Sequence, residues 1–137
     1  MRGASPVRLV LCLYEQAIED LRCAVIALEK GDIESRTRAV NHALSVIAQL
    51  QGSLDMKRGG EVAKNLDRFY GVVRVGLIEA QTKQSARILE QQISQLATVH
   101  EAWLEVERVT GAPGSGAVLQ IQPDLSPPKI SVSEWNA

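Results

Sequence analysis

Apolar residues recur at every third or fourth position along most of this chain of 137 residues, a spacing that places side chains on one face of an α-helix. Four such amphipathic segments follow one another, and short stretches of glycine and polar residues separate them. No alternating strand pattern competes with them within residues 5–110. The pattern therefore predicts an all-α domain.

The first two helices have recognisable ends. Ser5 is a good N-cap and Pro6 suits the first helical position, so helix 1 is predicted to begin there and to end at about residue 30. Gly31 stops helix 1, and Asp32 can cap helix 2. The apolar stripe of helix 1 is Val7, Val10/Leu11, Tyr14, Ala17/Ile18, Leu21, Ala24/Val25 and Leu28. The heptad positions of helix 2 are Ile33, Thr37, Val40, Leu44, Ile47 and Leu54.

Two further helices complete the domain. Helix 3 is predicted to run from Gly60 or Glu61 to Thr82, and helix 4 from about residue 83 or 84 to Val109. Their stripes are Val62, Leu66, Phe69/Tyr70, Val73, Leu77 and Ala80, followed by Ile88/Leu89, Ile93, Leu96, His100 and Trp103. Because short links make sequential helices neighbours, we predict an antiparallel up-down-up-down four-helix bundle over residues 4–111.

Residues 112–137 have a different composition and form a non-helical tail in this interpretation. A Pro-Gly-Ser-Gly linker at 113–116 is followed by a segment that three prolines exclude from helix. That segment nevertheless carries the apolar residues Val118, Leu119, Ile121, Leu125, Ile130, Val132 and Trp135. Two readings stay open: a disordered tail, or an extended segment that docks on the bundle or on a neighbouring copy.

Charge and cysteine positions limit the function classes. The formal net charge is −1, which gives no electrostatic footprint for nucleic acid or an anionic membrane. No signal peptide and no apolar stretch long enough to span a bilayer is present, so we expect a cytoplasmic protein without membrane insertion. Cys12 and Cys23 lie about 16 Å apart on one helix and cannot form a disulfide with each other. We expect both to be buried or half-buried as small apolar side chains.

Residues that could carry catalysis do not cluster in the sequence. The histidines and cysteines lack the spacing of a zinc site, and no Glu-x-x-His pair of a di-iron bundle occurs. We therefore expect no enzyme activity, no metal and no cofactor. His42 should face solvent, as in a histidine phosphotransfer domain, but residues 43–46 lack the lysine and glycine that usually follow such a histidine. His100 is expected at the edge of the core beside Trp103.

Some apolar residues lie outside the stripes that the core requires. They are Leu9, Cys12 and Leu13 on helix 1, and Val72, Val75 and Ile78 on helix 3. Monomeric proteins rarely leave such residues together in water. The pattern alone leaves two readings open: a generous core, or a groove for an apolar helix or extended strand of another protein.

Several segments of the chain resemble the FliS family of flagellar secretion chaperones. The matching motifs, with x for unmatched positions, are ASPxxLVxxLYExAI at residues 4–18, KGDI at 30–33, GGEVAxNLxxFY at 59–70 and LIEA at 77–80. In helix 2 the match is VNHA at residues 40–43, followed by Ile47, Leu50, Leu54 and Asp55. Trp103 stands where the family usually has a tryptophan near the end of helix 4. The resemblance covers about residues 4–110.

This resemblance implies a non-enzymatic cytosolic chaperone whose client is flagellin. Members bind the C-terminal segment of flagellin, which is disordered in the monomer, and so prevent premature polymerisation and support export through the flagellar type III apparatus. The implied partners are that segment and the flagellar export gate. Residues expected to contact the client are Leu9, Leu13, Tyr14 and Ile18, at family motif positions, and Val72, Val75 and Ile78, from the helical wheel.

Two features depart from the family pattern. Only Met1, Arg2 and Gly3 precede Ala4, so we expect the N-terminal arm that usually precedes the Ser-Pro motif to be absent, truncated or removed from this sequence. The tail 112–137 is long and apolar. We hypothesise that the tail covers the groove in place of the arm. A helical-bundle scaffold or co-chaperone for another amphipathic partner stays open as the alternative function, as does self-association through the tail or by helix swapping.

Overall fold

Four α-helices make up residues 6–110, the part of the chain that the computed structural model describes. They are α1 (Pro6–Lys30), α2 (Ile33–Gly52), α3 (Gly60–Lys83) and α4 (Ala86–Thr110). No strand occurs within this range, so the all-α prediction is confirmed. The predictions for Ser5 and for the tail 112–137 lie outside the described residues.

The turn between α1 and α2 is built as its residues predict. Gly31 adopts a φ of 73°, a left-handed conformation that glycine tolerates without strain. The backbone N–H of Ser35 donates to Oδ1 of Asp32 over 3.1 Å, which makes Asp32 the N-cap of α2. The hydrogen bonds from Ser35 lower the pKa of the Asp32 carboxyl, because they favour its ionised form.

The α3–α4 turn accounts for the late start of α4. Gln84 takes a left-handed conformation at the end of α3, with φ 52° and ψ 51°. The hydroxyl of Ser85 then accepts a hydrogen bond of 3.1 Å from the backbone N–H of Ile88. Because these two residues end one helix and cap the next, α4 begins at Ala86 rather than at residue 83 or 84.

Gly59 lies at a close approach in the α2–α3 connection. Its backbone N–H donates to the carbonyl of Asp55 over 2.7 Å. A Cβ at this position would lie 2.5 Å from the Cβ of Ala63 and 2.8 Å from the carbonyl oxygen of Asp55. Only glycine therefore fits here without a shift of the backbone.

The helices form an antiparallel bundle in which each helix lies between two others. α1 and α3 each pack against both α2 and α4, so α1 and α3 are diagonal to each other. Side-chain contacts between α1 and α4 record their antiparallel direction: Arg8 meets Glu107, and Glu15 meets His100. Asp20 of α1 also meets His42 of α2. The bundle is thus the up-down-up-down arrangement that short links predict.

α1 packs more closely against its neighbours than α3 does. α1 contributes the small buried side chains Ala17, Ala24 and Ala27, which let neighbouring backbones approach. α3 buries the larger rings of Phe69 and Tyr70 beside the small residues Ala63, Gly76 and Ala80. The bundle is packed more tightly around α1 than around α3.

Ile33, which the heptad of helix 2 predicts to be buried, is the first residue of α2 and is 61% exposed. The two cysteines also depart from the predicted burial. Cys12 and Cys23 are both exposed, so the expectation that they are buried or half-buried is wrong. They lie on the outer side of α1, away from the stripe that enters the core. Arg36, a charged residue, is buried, and its Nε donates to Oε1 of Gln81 on α3 over 2.8 Å.

No helix within the described residues has the length and apolar character needed to cross a membrane.

Candidate functional site

The seven predicted contact residues divide into three groups by exposure. Leu9, Val75 and Ile78 are exposed, with 56, 48 and 55% of their surface accessible. Leu13 and Val72 are half-buried. Tyr14 and Ile18 are buried in the core, with 0 and 6% accessible. In this conformation the first two groups are available to a partner and the last is not.

The exposed residues of α3 form a stripe across its outer face. Val72, Val75 and Ile78 succeed one another at intervals of three residues, so each is turned by about 60° from the last. Gly71 lies one turn before Val75, and no other atom lies within 4 Å of where its Cβ would be. The outer face of α3 therefore carries Val75 and Ile78 beside exposed charged residues such as Arg74, and Gly71 leaves room for a partner helix to lie closely.

The predicted residues of α1 lie near its N-terminal end. Leu9 is exposed, while Leu13 packs partly against the core. Because α1 and α3 are diagonal in the bundle, this patch and the α3 stripe lie on different flanks. The structure does not bring them together into one groove, and a single partner would have to pass around the bundle to reach both.

Tyr14 has a defined role inside the core. Its hydroxyl donates to the hydroxyl of Tyr70 over 2.8 Å, and the two rings are tilted with centroids 6.1 Å apart. The indole N–H of Trp103 is buried near the Tyr14 hydroxyl without making a hydrogen bond within residues 6–110. The hydrogen bond between Tyr14 and Tyr70 joins the diagonal helices α1 and α3 through the centre of the bundle.

Burial determines the ionisation of the two tyrosines. Loss of water raises the pKa of Tyr70 to about 12 and raises that of Tyr14 well above its ordinary value. For Tyr14, the neighbouring Tyr70 raises the pKa further. Both phenols are therefore neutral at physiological pH and act as hydrogen-bonding core residues.

A groove between α1 and α4 was missed by the sequence analysis. It has a volume of about 400 Å³ and is lined by Arg22, Val25, Ile26, Glu90 and Ile93. Ile26 is 52% exposed and is the most accessible of its apolar residues. The available signal was Ile26 itself, an isoleucine outside the predicted stripe of helix 1.

Each histidine lies against a carboxylate of α1. His42 is exposed, as predicted, and its Nδ1 lies 2.5 Å from Oδ2 of Asp20. His100 lies at the edge of the core, with Nε2 3.0 Å from Oε2 of Glu15. No group of three or more potential metal ligands occurs in the described part of the chain. The site is therefore one of apolar surface rather than of reactive groups.

Comparison with known proteins shows which family this chain resembles. The family model described as "Flagellar protein FliS" matches residues 1–110. The flagellar secretion chaperone FliSB of Pseudomonas aeruginosa is 34% identical over 73% of this chain and 79% of its own length. The flagellar secretion chaperone FliS of Salmonella typhimurium is 32% identical over 76% of this chain and 78% of its own. The corresponding protein of Vibrio cholerae is 30% identical over 77% and 78%.

These relatives are named as chaperones and not as enzymes, in agreement with the non-enzymatic prediction. The family match spans all four helices and therefore both apolar patches described above. The chain belongs to the FliS family of flagellar secretion chaperones.

Proposed function

We propose that this chain is a cytoplasmic chaperone that binds the C-terminal segment of flagellin, prevents its premature polymerisation and supports its delivery to the flagellar type III export gate. Membership in the family supports a role in flagellar export. The client and its contact residues are our inference from the exposed apolar surface.

The observation that carries the proposal is the exposure of large aliphatic side chains on two flanks. Leu9 on α1 and the pair Val75 and Ile78 on α3 each leave about half of their surface in water. Burying an aliphatic side chain contributes roughly 1.5–3 kcal/mol. A client that covers these residues therefore gains affinity from surface that the bundle itself leaves unused.

The diagonal position of the two patches favours a client that is disordered before binding. A rigid globular partner could reach one flank, whereas a disordered segment can pass around the bundle and cover both. Ordering such a segment costs about 2–5 kcal/mol or more. That cost keeps the complex reversible, as a chaperone that must release its client requires.

The proposal is tested by calorimetric titration of the full chain with a peptide of the flagellin C-terminal segment from the same organism. Val75→Asp/Ile78→Asp is expected to weaken binding roughly 10-fold or more, because it places two charges where apolar surface is covered. Ile33→Asp is the matched control: Ile33 is also an exposed isoleucine, but it lies at the start of α2, outside both patches.

Three outcomes would contradict the proposal. Absence of flagellin binding by the folded wild-type chain would remove flagellin as the client. Binding of unrelated amphipathic helices with equal affinity would favour the alternative of a general helical-bundle scaffold. Equal weakening by Ile33→Asp and by the α3 variant would remove the α3 stripe as the contact surface.

A further inference from the structure

We propose that residues 117–122 of this same chain dock as an extended segment in the groove between α1 and α4. The groove has a volume of about 400 Å³, and its apolar lining is the exposed Ile26, the half-buried Ile93 and the buried Val25. The proposal concerns a surface separate from the two patches assigned to the client, and it does not depend on the identity of that client.

The register of α1 against α4 shows which part of the bundle leads to the groove. The ion pairs of Arg8 with Glu107, at 2.7 Å, and of Glu15 with His100, at 3.0 Å, fix that register. Continued along the antiparallel helices, it places Arg22 opposite Ile93, and both residues line the groove. The seam between the two helices therefore leads from the groove toward the C-terminal end of α4, and the contacts of Glu15 with His100 and of Arg8 with Glu107 cross it.

Apolar side chains continue along this seam. Ile93, Ala97 and Leu104 follow at intervals of four and seven residues, which keeps them on nearly the same side of α4. Ile93 and Ala97 are half-buried, and Leu104 is exposed. A chain returning from the end of α4 toward the groove would cover these three residues in turn.

The distance to be crossed matches the length of chain available. Ile93 lies about 26 Å from Thr110 along α4, at roughly 1.5 Å per residue. Leu119 and Ile121 follow Thr110 by nine and eleven residues, which span at most about 30 to 36 Å when extended. The linker at 111–116 is therefore long enough for Leu119 and Ile121 to reach the groove, but only if the chain is nearly extended.

The sequence of the segment suits a one-sided extended contact. In residues 117–122 (AVLQIQ), Ala117, Leu119 and Ile121 share one face and the two glutamines share the other. Pro123 follows directly and disfavours continuation into a helix. An apolar face of this kind matches a groove whose apolar lining comes from valine and isoleucine.

The rim of the groove can bind the polar backbone of such a segment. Arg22 and Glu90 stand at the rim, and within residues 6–110 neither makes an ion pair or a side-chain hydrogen bond. Arg22 carries donors for backbone carbonyls and Glu90 carries acceptors for backbone N–H groups. A short linker also supplies an effective concentration in the millimolar range, which favours the chain's own segment over a second copy.

The experiment is a paramagnetic relaxation measurement on the full chain. A spin label is attached at Gln122→Cys in a Cys12→Ser/Cys23→Ser background, since both native cysteines are exposed and would otherwise react. The methyl resonances of Val25, Ile26 and Ile93 are expected to lose intensity when the label is paramagnetic. The methyl resonances of Ile78, on the outer face of the diagonal helix, are expected to keep theirs.

A pair of variants identifies the face that docks. Leu119→Asp/Ile121→Asp is expected to abolish the intensity loss, whereas Val118→Asp/Gln120→Asp, with the same added charge on the opposite face, is expected to retain it. A mixed sample distinguishes docking within one chain from docking in a second copy. It contains spin-labelled chains without isotope label and isotope-labelled chains without spin label. Intensity loss of the same size in the mixed sample would assign the groove to a second copy and overturn the proposal, as would no loss in either sample.

Discussion

At the scale of single residues, exposure separates core from contact surface among neighbours in one motif. Leu9 and Tyr14 both belong to the opening motif of the family, yet Leu9 is exposed and Tyr14 is fully buried. Tyr14 is held by its hydrogen bond to Tyr70, between helices that do not share a side of the bundle. Its position in the motif is therefore explained by the core, whereas that of Leu9 is not.

Replacement of Tyr14 by phenylalanine is predicted to reduce stability and to leave flagellin binding unchanged. The change removes the partner of a buried hydroxyl on Tyr70, which costs about 1–3 kcal/mol. Urea unfolding measures the loss, and the double variant Tyr14→Phe/Tyr70→Phe is expected to lose less than the two single variants added together. Weakened flagellin binding with unchanged stability would instead make Tyr14 a contact residue.

The raised pKa values of Tyr14 and Tyr70 predict a loss of stability at alkaline pH. A tyrosine whose pKa is about 12 in the folded chain and about 10 in the unfolded chain keeps its proton longer when folded. The contribution of this tyrosine to the free energy of unfolding is then fully present below about pH 10 and is lost as the pH rises toward 12. The free energy of unfolding, measured in urea between about pH 9 and 11, should fall less steeply for Tyr14→Phe/Tyr70→Phe.

At the scale of elements, α3 combines two glycines in opposite environments. Gly76 is buried, and a Cβ there would lie 2.6 Å from the side-chain amide of Gln92 on α4. Gly71 is open, with nothing within 4 Å of an added Cβ. Gly76 allows α3 and α4 to pack closely, because it has no side chain to meet Gln92. Gly71 adds no side chain to the outer face of α3, so that face protrudes less at this position.

Alanine at these two positions is predicted to have opposite effects. Gly76→Ala forces the buried Gln92 to move and is expected to destabilise the chain by about 1–3 kcal/mol. Gly71→Ala meets no atom and reduces the freedom of the unfolded chain, so it is expected to stabilise by about 0.4–1 kcal/mol. Thermal and urea unfolding compare the two, and the same sign for both would contradict this account of α3.

At the scale of the whole molecule, the diagonal placement of α1 and α3 decides what kind of partner fits. The exposed apolar residues of these helices lie on separate flanks, while the α1–α4 groove lies on a third. The exposed apolar surface therefore forms three separate sites and not one cleft. A disordered client can cover two flanks, and the groove stays available to the segment that follows α4.

The helical bundle is predicted to fold without the segment that follows it. A chain that ends after Gly111 is expected to unfold cooperatively, because all four helices contribute to one continuous core. Circular dichroism on heating measures this, with the full chain as the reference. A non-cooperative transition in the shortened chain would show that residues 112–137 are part of the core.

Local sequence patterns were sufficient to predict the helices, their turns and the bundle. Apolar spacing predicts which face of each helix is buried, and Gly31 and Asp32 predict a turn because their conformations depend on neighbours in the chain. The exposed position of Val75 and Ile78 also follows from helical angle. These features need no knowledge of how the helices are placed in space.

Tertiary structure alone decided the rest. The burial of Arg36, the contact of Tyr14 with Tyr70 and the α1–α4 groove each depend on residues far apart in sequence. The separation of the two apolar patches likewise depends on which helices are adjacent and which are diagonal. A helical period describes the face of one helix, whereas a groove or a buried pair is a property of two helices and of the distance between them.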